Sequence, residues 1–177
     1  MKVGCTLPQS GALASPENLI RVARRAEELG YDSVWVFERL LWPKPAQQPR
    51  PPIYLAGFGQ YTFDRIAKFA DGWNPAAIRD FESFEAQVNQ LQETAARAGR
   101  PPMDVVLTAF PLVMETSLGH VRRPLTGTLD KLREDIKRLG RIGVTHIIFS
   151  IPEMTFAPSQ TIAPALARLG QLIEIAR

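Results

Sequence analysis

Two periods alternate along this chain. Short, nearly unbroken apolar runs occur at 2–7, at 32–37 ("DSVWVF"), at 53–57 ("IYLAG"), at 103–114 ("MDVVLTAFPLVM") and at 145–150 ("THIIFS"). Runs of this kind suit parallel strands covered on both faces. Between them apolar residues recur at helical spacing: Leu19, Val22, Ala23, Ala26 and Leu29; Phe63, Ile66, Ala67 and Ala70; Phe81, Phe84, Val88 and Leu91; Leu129, Leu132, Ile136 and Leu139. Ser15, Pro16 and Glu17 form a helix start, with a capping hydroxyl, a proline at the first position and an early negative charge. Gly30, Gly99 and Gly143 mark helix ends. "DGWN" at 71–74 reads as a very short strand, Pro111 divides the 103–114 run into one strand or two, and 161–177 reads as a terminal helix.

The pattern predicts an α/β fold of six strands and about five helices in a single domain over 1–177. Strict alternation requires parallel strands joined by right-handed crossovers. A doubly wound sheet and a (β/α) barrel both satisfy it, but six strands fall short of a barrel's eight. One crossover departs from the pattern. Residues 38–52 carry Pro43, Pro45, Pro49, Pro51 and Pro52 and no helical period. Proline lacks the N–H and clashes with the preceding turn, so this stretch forms no regular helix. It is long enough to span two parallel strands in extended form but cannot cover a sheet face. Either the strands it links are not neighbours, or a segment is missing between them.

Composition narrows the function classes. Hydrophobic residues make up 45% and charged residues 22% of 177, and no apolar run approaches membrane-span length. The N-terminus lacks the form of a signal peptide, which makes a cytoplasmic protein the expectation. The net charge of +3 is spread over mixed helix faces such as "KLREDIKRLGR", without the basic stripe and interleaved aromatics of a nucleic-acid surface. His120 and His146 lack metal-ligand spacing, and the lone Cys5, flanked by Val3 and Leu7, reads as a buried inert thiol.

Three stretches offer chemistry. "GFGQ", Gly57, Phe58, Gly59 and Gln60, sits where a strand meets a helix, so its backbone can approach an anion beside the helix N-terminus. The spacing alone is weak, and a tight turn explains it equally well. "ERLLW", Glu38 to Trp42, follows the second strand. Glu38 and Arg39 read as an exposed ion pair or as site residues, and Trp42 as a packing residue or a stacking platform. "HVRRPLTGT" at 120–128 reads as a flexible basic loop in which Arg122 and Arg123 either reach a phosphate or remain solvated.

Three longer segments carry a resemblance: "LPQSGALASPENLIRVARRAEELGYDSVWVFERLLWP", "PKPAQQPRPPIYLAGFGQYTFDRIAKFADGWNP" and "PLTGTLDKLREDIKRLGRIGVTHIIF". In this order they resemble the luciferase-like monooxygenases, and most of all their coenzyme F-420-dependent branch. The resemblance implies a TIM-type barrel lacking strands three and four, whose six strands are one, two, five, six, seven and eight. The proline run then corresponds to the tail of an insertion loop before strand five. By the same resemblance, Glu38 and Arg39 occupy catalytic positions where family members often carry Asp and His. Arg39 keeps its charge and cannot shuttle a proton near neutrality. Trp42, Gly57, Phe58, Gly59 and Gln60 become cofactor-binding candidates for coenzyme F-420 or FMN.

The implied function is hydride transfer to, or monooxygenation of, a small organic substrate. A homodimer is expected to cover the open barrel edges. The alternative is a barrel-derived binding or structural protein that has lost both cofactor and activity.

Overall fold

The computed structural model describes residues 1–10, 13–36, 52–76, 78–116, 122–151 and 162–177. The chain opens with β1 (Lys2–Thr6), α1 (Pro16–Leu29) and β2 (Ser33–Trp35). After the junction come β3 (Tyr54–Leu55), α2 (Gln60–Phe69), β4 (Gly72–Trp73), α3 (Phe81–Arg97) and β5 (Asp104–Ala109). The short strands β6 (Leu112–Val113) and β7 (Thr126–Gly127) precede α4 (Leu129–Ile142), β8 (His146–Phe149) and α5 (Ala163–Ala176). The predicted caps form: Ser15 Oγ accepts from Asn18 N at 3.1 Å, and α1 stops at Gly30. Asp80 and Thr128 cap α3 and α4 in the same way.

The six strands of the main sheet are parallel and lie in the order β2-β1-β8-β5-β4-β3. That order is informative. Removing strands three and four from a closed ring of eight leaves two-one-eight-seven-six-five, and this is the arrangement seen. The sheet is a curled half-barrel with helices around it, and β2 and β3 are its two edges. The strands on either side of the proline junction are therefore not neighbours.

Successive side chains on a strand point to opposite faces. Val3, Cys5, Trp73, Val105, Leu107, Ile147 and Phe149 join Val22, Phe63, Phe84, Leu91, Leu132 and Leu169 from the helices in one core. Val106 and Ile148 are equally buried but stand outside that core. They occupy the inner, concave face, where Ile148 is in register with Gly4 and Thr108, and Val106 with His146.

Two expectations need correction. The run at 32–37 reads in sequence as a strand covered on both faces, yet Val34 is 45% and Val36 53% exposed. Among the described residues β2 is an edge strand, without a second neighbouring strand to cover it. The loop at 120–128 contains β7, which pairs in parallel with β6 through Leu112 and Thr126. Two residues of strand leave no readable period.

Candidate functional site

The C-terminal ends of the strands form the rim of the half-barrel, where active sites of this architecture lie. On the inner face Thr108 Oγ1 donates to Asn74 Oδ1 at 3.0 Å, joining β5 to the end of β4. Trp73 of the "DGWN" stretch points the other way. It is fully buried, packs edge-on against Phe58 and Phe63, stacks on Phe84, and donates from Nε1 to the Gly57 carbonyl at 2.8 Å. For Trp73, packing is the whole role, and one product of that packing is the placement of the glycine loop.

In that loop Gly57 has φ +105° and Gly59 φ +86°, values that side chains rarely tolerate. A Cβ at Gly57 would meet Thr62 Oγ1 at 3.1 Å, so geometry alone demands this glycine. A Cβ at Gly59 would meet nothing within 4 Å: the space above the start of α2 is open. Gly59 also provides no side-chain cap. Thr62 N and Phe63 N already donate to the Gly59 carbonyl, whereas Gln60 and Tyr61 precede the first intrahelical bond. Their two N–H groups are therefore available to an anion at the positive end of the helix dipole.

The candidate side chains divide. Phe58 is 52% exposed and lines a cleft with Ile78, Arg79, Ser83 and Gln87. The Gln60 side chain turns away to α3, donating to Asp64 and Thr94 and accepting from Gln90, so it bridges two helices. Glu38, Arg39 and Trp42 lie outside the described residues. His120 does too, while Arg122 forms a bidentate pair with Asp135 at 2.6 and 2.8 Å and is not free to bind a ligand. Among the described residues no cluster of His, Cys, Asp or Glu could hold a metal. No helix among them is long and apolar enough to cross a membrane.

At the opposite, N-terminal mouth a polar group went unread in the sequence. Ser33 Oγ and His146 Nε2 are 3.0 Å apart, Trp35 Nε1 donates to the same Oγ at 2.8 Å, and the Trp35 and His146 rings meet edge-on. Gly4 makes room for them, since a Cβ there would approach Ser33 Oγ to 2.5 Å. Burial lowers the His146 pKa, keeping the ring neutral and able to accept from Ser33. The signal lay in the strand parity of residues 4, 33, 35 and 146, readable only once the register is known.

The luciferase-like monooxygenase family profile matches residues 39–119, running from the junction past β6. Over that stretch the chain is similar to the luciferase-like family. Among curated relatives, uncharacterized proteins of Mycobacterium tuberculosis and Mycobacterium bovis are 31% identical over 131 residues. The match covers 72% of this chain and 39% of each relative, so the chain spans well under half the length of those proteins. Among solved structures, the coenzyme F-420-dependent tetrahydromethanopterin reductase of Methanopyrus kandleri superposes with a TM-score of 0.51 at 16% identity. It covers 70% of this chain and 49% of its own. An F-420-dependent secondary alcohol dehydrogenase, in complex with an F-420-acetone adduct, also gives 0.51, at 12% identity, covering 99% of this chain and 69% of its own. These likenesses establish the fold, an incomplete (β/α) barrel of the luciferase-like kind.

Proposed function

We propose that this chain is an oxidoreductase subunit that holds a deazaflavin or flavin on the open inner face, with the phosphate end toward the loop at 57–60. The observation that carries the reading is the geometry at Gly59: positive φ, open space, and two N–H groups at a helix start. This arrangement suits a phosphate. The bound group would supply the hydride or the oxygen chemistry. The chain's own contribution is to bind the phosphate through Gln60 N and Tyr61 N and to present the Asn74–Thr108 pair beside the ring. Coenzyme F-420 and FMN are the two candidates, the substrate is a small organic molecule, and Glu38 and Arg39 remain the proposed catalytic positions.

A second copy of the chain completes the site in this reading. Ile20, Val34 and Val36 are exposed along the β2 edge, and Ile53 along the β3 edge. Phe69, 61% exposed, lies on the flank of α2 away from α3, because Gln60 and Asp64 occupy the flank toward it. Both edges thus offer apolar residues and unpaired strand groups, as self-association requires.

Titration of the purified protein into coenzyme F-420 and into FMN, read by cofactor fluorescence, tests the proposal, with sedimentation recorded in parallel. Saturable binding of one cofactor by a dimer supports it. A dimer that binds neither would sink it. The same open sheet favours a second reading: β2 and β3 are edges, so one wall of the ring site is absent among the described residues. In that case the protein is a non-catalytic binder built from a barrel, and turnover with a reduced deazaflavin or flavin would exclude this.

A further inference from the structure

Another cleft lies at the C-terminal end of β5. Its volume is about 560 Å3, within the range of small-molecule sites. Leu107 and Ala109 form its floor, and both belong to the core that the helices share. Phe110, Leu112 and Leu125 extend the apolar lining. Arg79, from the β4–α3 loop, and Arg123, from the segment before β7, both line it.

These two arginines differ from several others among the described residues. Arg25, Arg122, Arg133 and Arg138 are paired with carboxylates, and Arg100 is bonded to two carbonyls. Neither Arg79 nor Arg123 has an ion pair or hydrogen bond of its side chain among the described residues. Asp80, next to Arg79, is committed to Ser83 N at 2.7 Å.

The wall that carries Arg123 is also held in place. Arg122 is locked to Asp135 and donates to the Thr126 carbonyl, and Leu125 N donates to Asp135 Oδ2 at 2.8 Å. Leu125 has φ +58°, the one positive value among described non-glycine residues. A leucine in the left-handed region costs about 1–2 kcal/mol and persists only when its surroundings fix it. A buried ion pair and a strained leucine thus hold in place a segment whose exposed product is one unpaired guanidinium over an apolar floor.

The geometry points to this cleft as a binding site for a small organic anion with an apolar body. The acid group is held between Arg79 and Arg123, and the body rests on Leu107, Ala109 and Leu125. Guanidinium forks match the planar oxygens of such an acid group, and a low-polarity floor strengthens the contact. Ile78 and Arg79 also line the cleft beside Phe58, so the two clefts adjoin, and the anion site lies on the Arg123 side.

The test uses the intact chain and 8-anilinonaphthalene-1-sulfonate, a fluorescent apolar anion, beside the neutral N-phenyl-1-naphthylamine. Arg79→Leu and Arg123→Leu are each expected to weaken binding of the anion by about ten-fold or more, the usual loss for a charged hydrogen bond. Binding of the neutral probe is expected to stay unchanged, and Arg123→Lys to recover part of the loss. Arg24→Leu, at the groove beside β2, is expected to leave both probes unaffected. Unchanged affinity for the anion in both leucine variants overturns the inference. Equal loss of the two probes overturns it as well, because charge would then play no part. Displacement of the anion by FMN or coenzyme F-420 would also overturn it, because the cleft would then be the cofactor's own.

Discussion

Replacing Asp135 with alanine tests the buried ion pair beside the cleft. Asp135 is 3% exposed and accepts three hydrogen bonds, two from Arg122 and one from Leu125 N. The substitution leaves a mostly buried guanidinium without its counter-charge and a buried backbone N–H without an acceptor. Removing one partner of a buried pair costs about 3–5 kcal/mol. Arg122 keeps its bond to the Thr126 carbonyl, and its side chain is 15% exposed, which lets water offset part of the loss. The lower end, about 3 kcal/mol, is therefore expected. At roughly 2–4 °C per kcal/mol for a chain of this size, Tm should fall by about 6–12 °C. Circular dichroism melts and urea titrations measure both quantities. Replacing both residues, Arg122→Met with Asp135→Leu, should recover most of the loss, because no charge is then left unpaired. A loss below about 1 kcal/mol for Asp135→Ala, the value of an exposed pair, would refute the buried geometry.

Close contacts and burial give further expectations. Gly72→Ala would place a Cβ 2.4 Å from the Asp104 carbonyl oxygen, where β4 meets β5, and should cost about 1–3 kcal/mol in urea unfolding. A neutral outcome would mean the two strands are not so close. His146 has its pKa lowered from 6.5 by burial, against the opposing pull of Asp32 and Asp104. The unfolded chain therefore takes up the proton first as pH falls, so stability should drop as pH descends from about 6.5 toward the folded value. His146→Gln should flatten that slope between pH 7.5 and 5.5, and an unaltered slope would assign the dependence elsewhere. Cys5 is fully buried, and its thiol is pushed up to about 12 by that burial. Its reaction with a disulfide reagent should thus track global unfolding, and rapid labelling of the folded protein would contradict the packing of β1.

The elements with a strong period were legible before the structure. Leu132, Ile136 and Leu139 point into the core as their spacing requires, and the capping residue Ser15 sits where its hydroxyl can act. The consequence of the proline junction was legible as well, because it left only two outcomes and the sheet order shows non-adjacent strands. Pairings over long separation were not legible. The Ser33–His146–Trp35 group depends on a register that brings residue 146 beside residue 33, and no local pattern encodes that. Arg122 and Arg123 look equivalent in sequence, but one is locked to Asp135 on α4 and the other faces the cleft. Gln60 belonged by sequence to the glycine loop, and its side chain instead joins two helices. The family itself was recognisable from three ordered segments, while the substrate side of the site was not, since Glu38, Arg39 and Trp42 lie outside the described residues.

The seam between β2 and β3 separates connectivity from cohesion. In the described structure the β1–α1–β2 unit is fastened to the far end of the chain, not to its neighbour in sequence, β3. Lys2 N donates to the Thr145 carbonyl, β1 lies along β8, the Tyr31 hydroxyl donates to the Leu169 carbonyl, and Arg177 reaches the Gly30 carbonyl. A change in length at residues 37–51 therefore leaves the register of all six parallel strands untouched. Evolution can splice material in or out at this point as it would at a surface turn, although the point lies between two strands of the sheet. A barrel that loses a quarter of its staves here keeps every remaining joint.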